Sequence, residues 1–574
     1  MRRKRGLSPL IAVARGDAPP DLVIEGARVL SVFTREWLEL DVAVSGGRIA
    51  GLGEYAGGDR VDATGKYLVP GFIDAHVHIE SSKLTPAECA RAVVPHGTTA
   101  VVTDPHEMAN VLGRAGVEWM LEASEHLPLD VFVMAPSCVP ASEFESPIGP
   151  FEPADMEAIL RHPRALGVAE MMNFPGVIAG DRAVLERLEV DGARHADGHA
   201  PGVTGRALDA YVAAGIRSDH EATTLAEALE KRRRGMWVLI REASNARNLR
   251  DLLPLVARYG PEHCAFCTDD REPDLLFREG HIDQMCRIAV AEGIAPEDAL
   301  LMATLHAARC HGLLDRGAIA PGLRADLVLL DDLVDFHAAR VYKDGALVAA
   351  AGEAEPFARP PIPARMRETM RSAPLAAGAF EISAEGGRVR VIEIIRGQLI
   401  THARVEEPSV RDGHVVADPD RDVAKIAVVE RHHATGRVGK GLVRGFGLRA
   451  GAFASTVAHD AHNLVIVGVD DASMTACAVR LQEIGGGIVV ARDGAVRGEL
   501  PLPVAGLLSD EPVEDVVARL EALQQLLREQ GVADAAPFMT LSFLALSVIP
   551  ALKITDRGLV DVERFELVPL AVYP

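Results

Sequence analysis

The sequence predicts an α/β protein in which a (β/α)8 barrel is inserted in a discontinuous small β-sandwich domain, followed by a C-terminal α+β domain. Three observations lead there. Short alternating apolar and polar runs, broken by Gly and Asp, occur in two places about 250 residues apart, a gap the size of a (β/α)8 barrel. The gap holds eight short apolar runs alternating with helical stretches, the texture of repeated βα units. Beyond it, residues 376–574 mix both textures.

Residues 1–18 open with Arg2, Arg3, Lys4 and Arg5, then a short apolar run containing Pro9. The run is short for a secretory signal and lacks a small-residue cleavage site, so this segment reads as a loose basic extension. Residues 19–69 and 317–350 form the two halves of the sandwich domain. Residues 70–316 form the barrel, with strands expected at 72–77, 99–103, 131–135, 165–169, 193–198, 215–219, 236–240 and 264–268. Helices are expected between them at 153–162, 181–190 and 225–233. Residues 351–375, rich in Ala, Glu, Pro and Arg, read as a linker. In the C-terminal unit, strands are expected at 388–395, 424–430 and 463–469, and helices at 471–484 and 513–529.

Composition narrows the function. The 574 residues are 48% hydrophobic, which excludes dominant disorder. With 60 basic against 82 acidic residues the net charge is −22, which argues against a nucleic-acid partner. No stretch approaches the roughly 20 apolar residues of a membrane span. Of seven cysteines, only Cys264 and Cys267 have CxxC spacing, and no second pair completes a four-sulfur site. Free buried thiols in a reducing cytoplasm are expected.

The strongest chemical feature is His76-Val77-His78. Residues i and i+2 of a strand share a face, so two imidazoles leave the first barrel strand together and can grip one metal ion. Alone, such a pair reads first as two surface histidines. Glu170, His199, His220 and Asp269, however, fall at the C-terminal ends of the fourth, fifth, sixth and eighth expected strands. That is the face where barrel active sites lie, so six ligand-type side chains converge there. Asp104-Pro-His106-Glu107 ends the second strand at the same mouth. An acid here can protonate a ring nitrogen: Glu107 first, Asp104 second, with His106 as a polar orienter. The competing reading is a cap for the following helix. Ser137, Glu80 and Ser81 lie beyond the third and first strands, as substrate contacts, ligand supports or turn formers. Asp270, one residue past Asp269, is expected to point the other way and be structural. His432-His433 and His459-Asp460-Ala-His462-Asn463 are expected to be a hydrogen-bonded cluster at a domain or subunit interface rather than a third metal site.

His76-x-His78, His199, His220 and Asp269 together resemble the amidohydrolase superfamily. Ile79-Glu-Ser-Ser, Thr103-Asp-Pro-His-Glu-Met-Ala-Asn-Val, Ala135-Pro-Ser-Cys-Val-Pro, Ala196-Asp-Gly-His-Ala-Pro-Gly and Ser218-Asp-His-Glu are similar to bacterial-type adenine deaminases. So is Thr456-Val-Ala-His-Asp-Ala-His-Asn, and the resemblance covers nearly the whole chain. One departure is Ala243 in Arg241-Glu-Ala-Ser, where the family pattern has Gly. It matters only if that residue needs a positive φ.

The resemblance implies hydrolysis of adenine to hypoxanthine and ammonia. That reaction needs a strong nucleophile at C6, a proton for the ring and a proton for the departing amine; a metal supplies the first by acidifying water. Many superfamily members bridge two ions with a carboxylated lysine on the fourth strand, which here offers Glu170 instead. His76, His78 and Asp269 are expected around one ion and His199 and His220 around the other, with Glu170 between. The ligand types suit Zn(II), Fe(II) and Mn(II); the resemblance favours two divalent ions per chain, Mn(II) or Fe(II) ahead of Zn(II). Asp269 is also the expected proton shuttle. The expected partners are adenine and further copies of the chain, a dimer first, with neither nucleic acid nor membrane. Competing readings are an amidohydrolase acting on a cyclic amide, for which a bridging lysine is expected, one acting on another aminopurine, and a non-catalytic scaffold, for which a lost ligand is expected.

Overall fold

The computed structural model describes residues 7–385 and 387–572. Eight parallel strands form the barrel: Phe72–Val77, Thr98–Thr103, Asp130–Ala135, Ala165–Met171, Ala196–Gly198, Ser218–Asp219, Trp237–Arg241 and Cys264–Cys267. The first five pair in sequence order, as do the last three. Arg217 donates its N–H to Ala196 O (3.1 Å), and Asp269 donates its N–H to His76 O (3.0 Å), closing the ring at both gaps. The strands are apolar on both faces because helices cover the outside and side chains fill the inside.

The fifth and sixth strands are shorter than expected. Glycine lets their neighbourhood close up: a Cβ on Gly198 would lie 2.3 Å from Ser218 O, and one on Gly167 2.0 Å from His195 O. Neither position tolerates a side chain.

The barrel interrupts two sheets. A four-stranded sheet runs Arg48–Leu52, Val42–Ser45, Leu22–Glu25, Asp59–Asp62. A seven-stranded sheet holds strands from both sides of the barrel, and Leu327–Leu330 pairs antiparallel with Tyr67–Pro70. Ile24, Val29, Leu68 and Leu327 share the core between them. The N-terminal segment differs from expectation. Leu7–Ala14 is a helix, with Val13 buried against Ala43 and Ala50. Pro9 sits within its first turn, where backbone N–H groups have no intrahelical acceptor to lose. The basic tetrad Arg2–Arg5 lies outside the described residues.

At the entry end of the barrel strands a closed ionic network ties barrel to sandwich. Asp130 receives Arg316 at 2.7 Å, Lys343 at 2.7 Å and Arg324 at 3.3 Å. Lys343 also holds Asp326 at 2.6 Å, and Arg324 holds Asp344 at 2.6 Å. Burial opposes the Asp130 charge, but Lys343, Arg316 and Arg324 keep its carboxyl far below the usual range.

Beyond residue 350 regular structure is sparse until Arg388, with a short strand at Glu353–Ala354, one turn at Ala364–Met366 and the two-residue strand Ile382–Ser383. The C-terminal unit is built on a large mixed sheet, including Arg388–Ile394, Val423–Val429, Val438–Arg444 and Leu464–Gly468. Helix Asp471–Glu483, capped by the Asp470 carboxylate accepting Ser473 N–H, buries Met474, Cys477 and Leu481 on it. Helix Val513–Glu529 buries Val516, Leu520, Leu523 and Leu527, a stripe at helical spacing. This unit pins the long segment after the third barrel strand. Ser146 Oγ donates to Asp556 (2.9 Å), Asn463 Nδ2 donates to Ser146 O (3.1 Å), and Ser142 and Ser547 hydroxyls meet at 2.6 Å. The C-terminal unit is thereby held over the barrel mouth.

Candidate active site

The strand ends bring the six ligand-type side chains together, all buried. His76 Nε2 and His78 Nε2 are 3.2 Å apart. Asp269 Oδ1 lies 3.1 Å from His78 Nε2 and 3.7 Å from His76 Nε2. Glu170 sits between two sets of imidazoles: Oε1 is 3.3 Å from His78 Nε2, while Oε2 is 2.7 Å from His199 Nδ1 and 3.3 Å from His220 Nε2. His76 and His220 stack at 4.1 Å. His78 donates Nδ1–H to Asp104 O at 3.0 Å, which turns the Nε2 lone pair inward. Facing nitrogen lone pairs this close are reconciled only by positive charge between them. A divalent cation fits this donor set, and so do Mn(II), Fe(II) and Zn(II) individually.

The electrostatics make the same demand. Burial opposes charge on Glu170, but hydrogen bonds from His199, His220 and His78 hold its carboxyl well below the usual range. Burial likewise opposes charge on Asp269, and His78, Arg241 and His220 pull it down. His220 is pushed up to about 9, against burial, by Glu170 and Asp269. The pocket holds positive charge as strongly as it can get it.

Asp269 is divided between two duties. Oδ1 faces the histidines, and Oδ2 is gripped by Arg241 Nη1 at 2.7 Å. Arg241 also pairs with Glu221, its Nη2 donating to Oε2 at 3.1 Å. Asp269 has φ +55°, which breaks strand alternation. Asp270 therefore does not turn away as expected but lines the same cavity. Ala243 is not among the positive-φ residues, so the missing glycine costs no backbone strain.

Ser81 Oγ lies within hydrogen-bonding distance of both Glu107 Oε1 (3.0 Å) and Asp270 Oδ1 (2.5 Å). A hydroxyl has one proton to give, so one of the two acids carries its own. Burial pushes the Glu107 carboxyl up, His459 opposes, and the Asp270 charge adds to the rise. That direction favours a proton on Glu107. Glu80 beneath it is pushed up to about 8 by burial and Glu107, and accepts Met108 N–H. Asp104 holds His106 at both its backbone N–H (3.1 Å) and Nδ1 (3.0 Å). The first of these bonds also caps the helix His106–Leu112, so the capping reading of Asp104 holds beside its contact with the His106 ring. Ser137 donates to Glu170 O at 2.7 Å and so faces the ligand strand, outside the cavity lining. Glu80 and Ser81 are likewise set behind the lining, bonded to protein groups.

The C-terminal cluster is at a domain interface, but the interface is the cavity wall. His459 and Asp460 line the same cavity as Glu170, His199 and His220. His459 Nδ1 is 3.4 Å from Glu107 Oε1, and Asp460 Oδ1 is 3.6 Å from His106 Nε2. His459 stacks on Phe543 at 4.5 Å. Leu399, Phe543, Leu546 and Ile549 complete an apolar rim. Sequence reasoning missed Glu221, Arg241, Asp460 and this rim as site components. Glu221 directly follows His220, and Arg241 is a charge at the end of a buried strand, so both carried a readable signal; the rim carried none.

The comparisons agree with this geometry. Residues 67–348 match the amidohydrolase family and residues 398–566 the adenine deaminase C-terminal domain. The chain is 47% identical over 567 residues to adenine deaminase 2 of Carboxydothermus hydrogenoformans, covering 99% of this chain and 100% of that one. It is 47% identical over 563 residues to an adenine deaminase of Desulfatibacillum aliphaticivorans (98% and 99% covered). It is 49% identical over 561 residues to one from a Methylobacterium species (97% and 99% covered). With both domains matched, and identity sustained from the sandwich through the C-terminal wall, the chain belongs to the adenine deaminase family of amidohydrolases.

Proposed function

We propose that the protein hydrolyses adenine to hypoxanthine and ammonia. One observation supports this most directly: a cation-seeking cluster lines a buried cavity, and Glu107, a buried acid, lies directly behind His459 of that lining. His76, His78 and Asp269 would hold one divalent ion and His199 and His220 a second, with Glu170 between; the donors suit Mn(II), Fe(II) and Zn(II) alike, and the family resemblance puts Mn(II) or Fe(II) ahead of Zn(II). When bound, the cations supply the acidification of the attacking water. Asp269 takes the proton from that water and returns it to the leaving amine, held in position for both by Arg241. Glu107 gives its proton to the purine ring as the amine carbon becomes tetrahedral. The C6–O bond forms and the C6–N bond breaks; one water proton passes through Asp269 to ammonia, the other restores Glu107 for the proton it gave the ring, and both acids end the cycle as they began. The apolar rim excludes bulk water from the reacting carbon.

We place the enzyme in the cytoplasm as a homodimer, with adenine as its small-molecule partner and no nucleic acid or membrane partner. The buried free thiols are in keeping with a reducing compartment. No helix among the described residues is long and apolar enough to cross a membrane. The test is ammonia release from a panel of aminopurines by metal-loaded enzyme. Adenine is expected to be turned over at least ~100-fold more efficiently than adenosine, about 2.7 kcal/mol in transition-state binding. Equal efficiency would move the assignment to a nucleoside deaminase.

A further inference from the structure

The wall contributed by the C-terminal domain has groups that its own hydrogen bonds leave unused. His459 Nε2 and Asp460 Oδ2 are buried side-chain atoms without a hydrogen-bond partner, and both residues line the cavity. The rest of each side chain is fixed. His459 Nδ1 faces Glu107 Oε1 at 3.4 Å and Asp460 Oδ1 at 3.6 Å, its ring lies on Phe543, and its backbone N–H bonds Ser542 Oγ at 3.2 Å. Asp460 Oδ1 faces His106 Nε2 at 3.6 Å. His459 Nε2 lies 3.8 Å from Asp270 Oδ1, beyond hydrogen-bond reach, so an imidazole edge and a carboxylate oxygen, adjacent in sequence and both buried, are left without a hydrogen-bond partner in residues that line the cavity. Buried polar groups of this kind are costly unless a partner arrives.

The chemistry of the purine says which partner. In a 6-aminopurine, N3 lies directly across the six-membered ring from C6, and N9 is bonded to the carbon beside it. When C6 is presented to the barrel cluster, the N3/N9 edge points to the opposite wall. In the free base that edge offers one acceptor, N3, beside one donor, N9–H. His459 Nε2–H and Asp460 Oδ2 offer the complementary donor and acceptor.

We propose that His459 and Asp460 form the subsite that reads the N3/N9–H edge of a free 6-aminopurine, and so set the preference for base over nucleoside. This rests on the adenine deaminase reading. A substituent on N9 removes the hydrogen that Asp460 accepts and leaves its carboxylate buried without a partner, the situation in which discrimination is greatest. The C-terminal domain is then a component of substrate recognition rather than an appendage.

The test uses the full-length, metal-loaded enzyme and three probes: adenine, 9-methyladenine and 3-deazaadenine. Wild type should prefer adenine over 9-methyladenine by about 100-fold or more in kcat/KM. Asp460→Ala should lose about 10- to 100-fold on adenine, mostly in KM, the size of a lost hydrogen bond to a charged group. It should leave 9-methyladenine unchanged, so the preference collapses. Asp460→Asn keeps an acceptor oxygen and should recover part of the loss. His459→Ala should lose about 10-fold or more on adenine beyond whatever it loses on 3-deazaadenine, which lacks N3 and so reports only the effect of His459 on Glu107. Metal content and thermal midpoint are measured for each variant. A preference for adenine over 9-methyladenine that survives Asp460→Ala overturns the proposal. So does a fall of metal content by one ion in that variant, because His106, His459 and Asp460 would then be holding a cation. If wild type deaminates no aminopurine at full metal loading, the adenine deaminase reading itself fails, a result distinct from either.

Discussion

Two charged clusters sit at opposite ends of the same barrel, and they are built on different principles. At the entry end, Asp130, Asp326 and Asp344 meet Arg316, Arg324 and Lys343, three acids with three bases, at distances of 2.6–3.7 Å. Every charge there has an opposite within the protein. At the mouth, Glu170 and Asp269 face imidazoles, and only Asp269 has a permanent cation, Arg241, which it shares with Glu221. That cluster does not close on itself. The comparison teaches that a network complete in its own charges holds parts together, while one with a deficit waits for something from outside. Removing a member of the first should cost stability; removing a member of the second should cost occupancy and rate.

The sharpest way to break that distinction is the double variant His76→Ala, His78→Ala. It should abolish deamination and sharply lower bound metal, while the thermal midpoint of the metal-free protein stays near that of metal-free wild type. Wild-type metal content in this variant would show that the deficit is filled elsewhere. Next in size is Asp269→Asn. Loss of the proton acceptor should lower kcat by about 10²–10⁴-fold, even at metal loading matched to wild type. Near-normal kcat would remove Asp269 from the proton path and leave it as a ligand alone.

Arg316→Met tests the other end. Breaking a buried ion pair from one side costs about 3 kcal/mol or more, and here Lys343 and Arg324 remain to share Asp130. Denaturant unfolding should show a loss of about 2–3 kcal/mol, with kcat per bound metal unchanged. A variant that unfolds no more easily but turns over more slowly would mean the two clusters are coupled through the barrel.

A last effect, confined to neutral and alkaline pH, concerns a third kind of charge, one with no acidic partner among its hydrogen bonds. Lys553 donates to Leu399 O (2.8 Å) and Phe543 O (3.0 Å), carbonyls of two residues in the cavity rim. Burial pushes its pKa down to about 7, below the ordinary value of about 10.4 for an unfolded chain. Between these values the unfolded state binds the extra proton, so stability rises with pH across roughly 7 to 10. Below about 7 both states are charged and the penalty is constant. Lys553→Met lacks this dependence. Wild type should therefore gain stability relative to the variant from pH 7 to pH 10 in thermal or denaturant melts. A constant difference would show that Lys553 stays charged in the fold.

The ligand end of the molecule was legible because strand geometry converts sequence spacing directly into a shared face. His76 and His78 two apart, and Glu170, His199, His220 and Asp269 each at a strand end, needed only the barrel to bring them together. The opposing wall was not legible in that way. Asp460 is some 190 residues from Asp269 in the chain, and only docking of the C-terminal unit places it in the cavity. Asp270 was misread for a local reason: alternation assumes an extended backbone, and the left-handed turn at Asp269 cancels it. The helix Leu7–Ala14 was hidden by Pro9, which signals a break in a helix interior but not in its first turn.

The interrupted sandwich has a consequence for how the chain is made. Strand Tyr67–Pro70 needs Leu327–Leu330 as a neighbour, and about 260 residues of barrel are translated between them. At roughly 5–20 residues per second, that is about 13–50 s during which the emerging chain carries an unpaired strand edge. The four-stranded sheet of Leu22–Asp62 can form early, since all its strands precede the barrel, and the N-terminal helix packs on it. Its seven-stranded counterpart must wait for the ribosome. A polypeptide laid out in this order is most exposed to aggregation while its barrel is half synthesised, and slowing translation through residues 70–316 should lower its yield more than slowing it anywhere downstream.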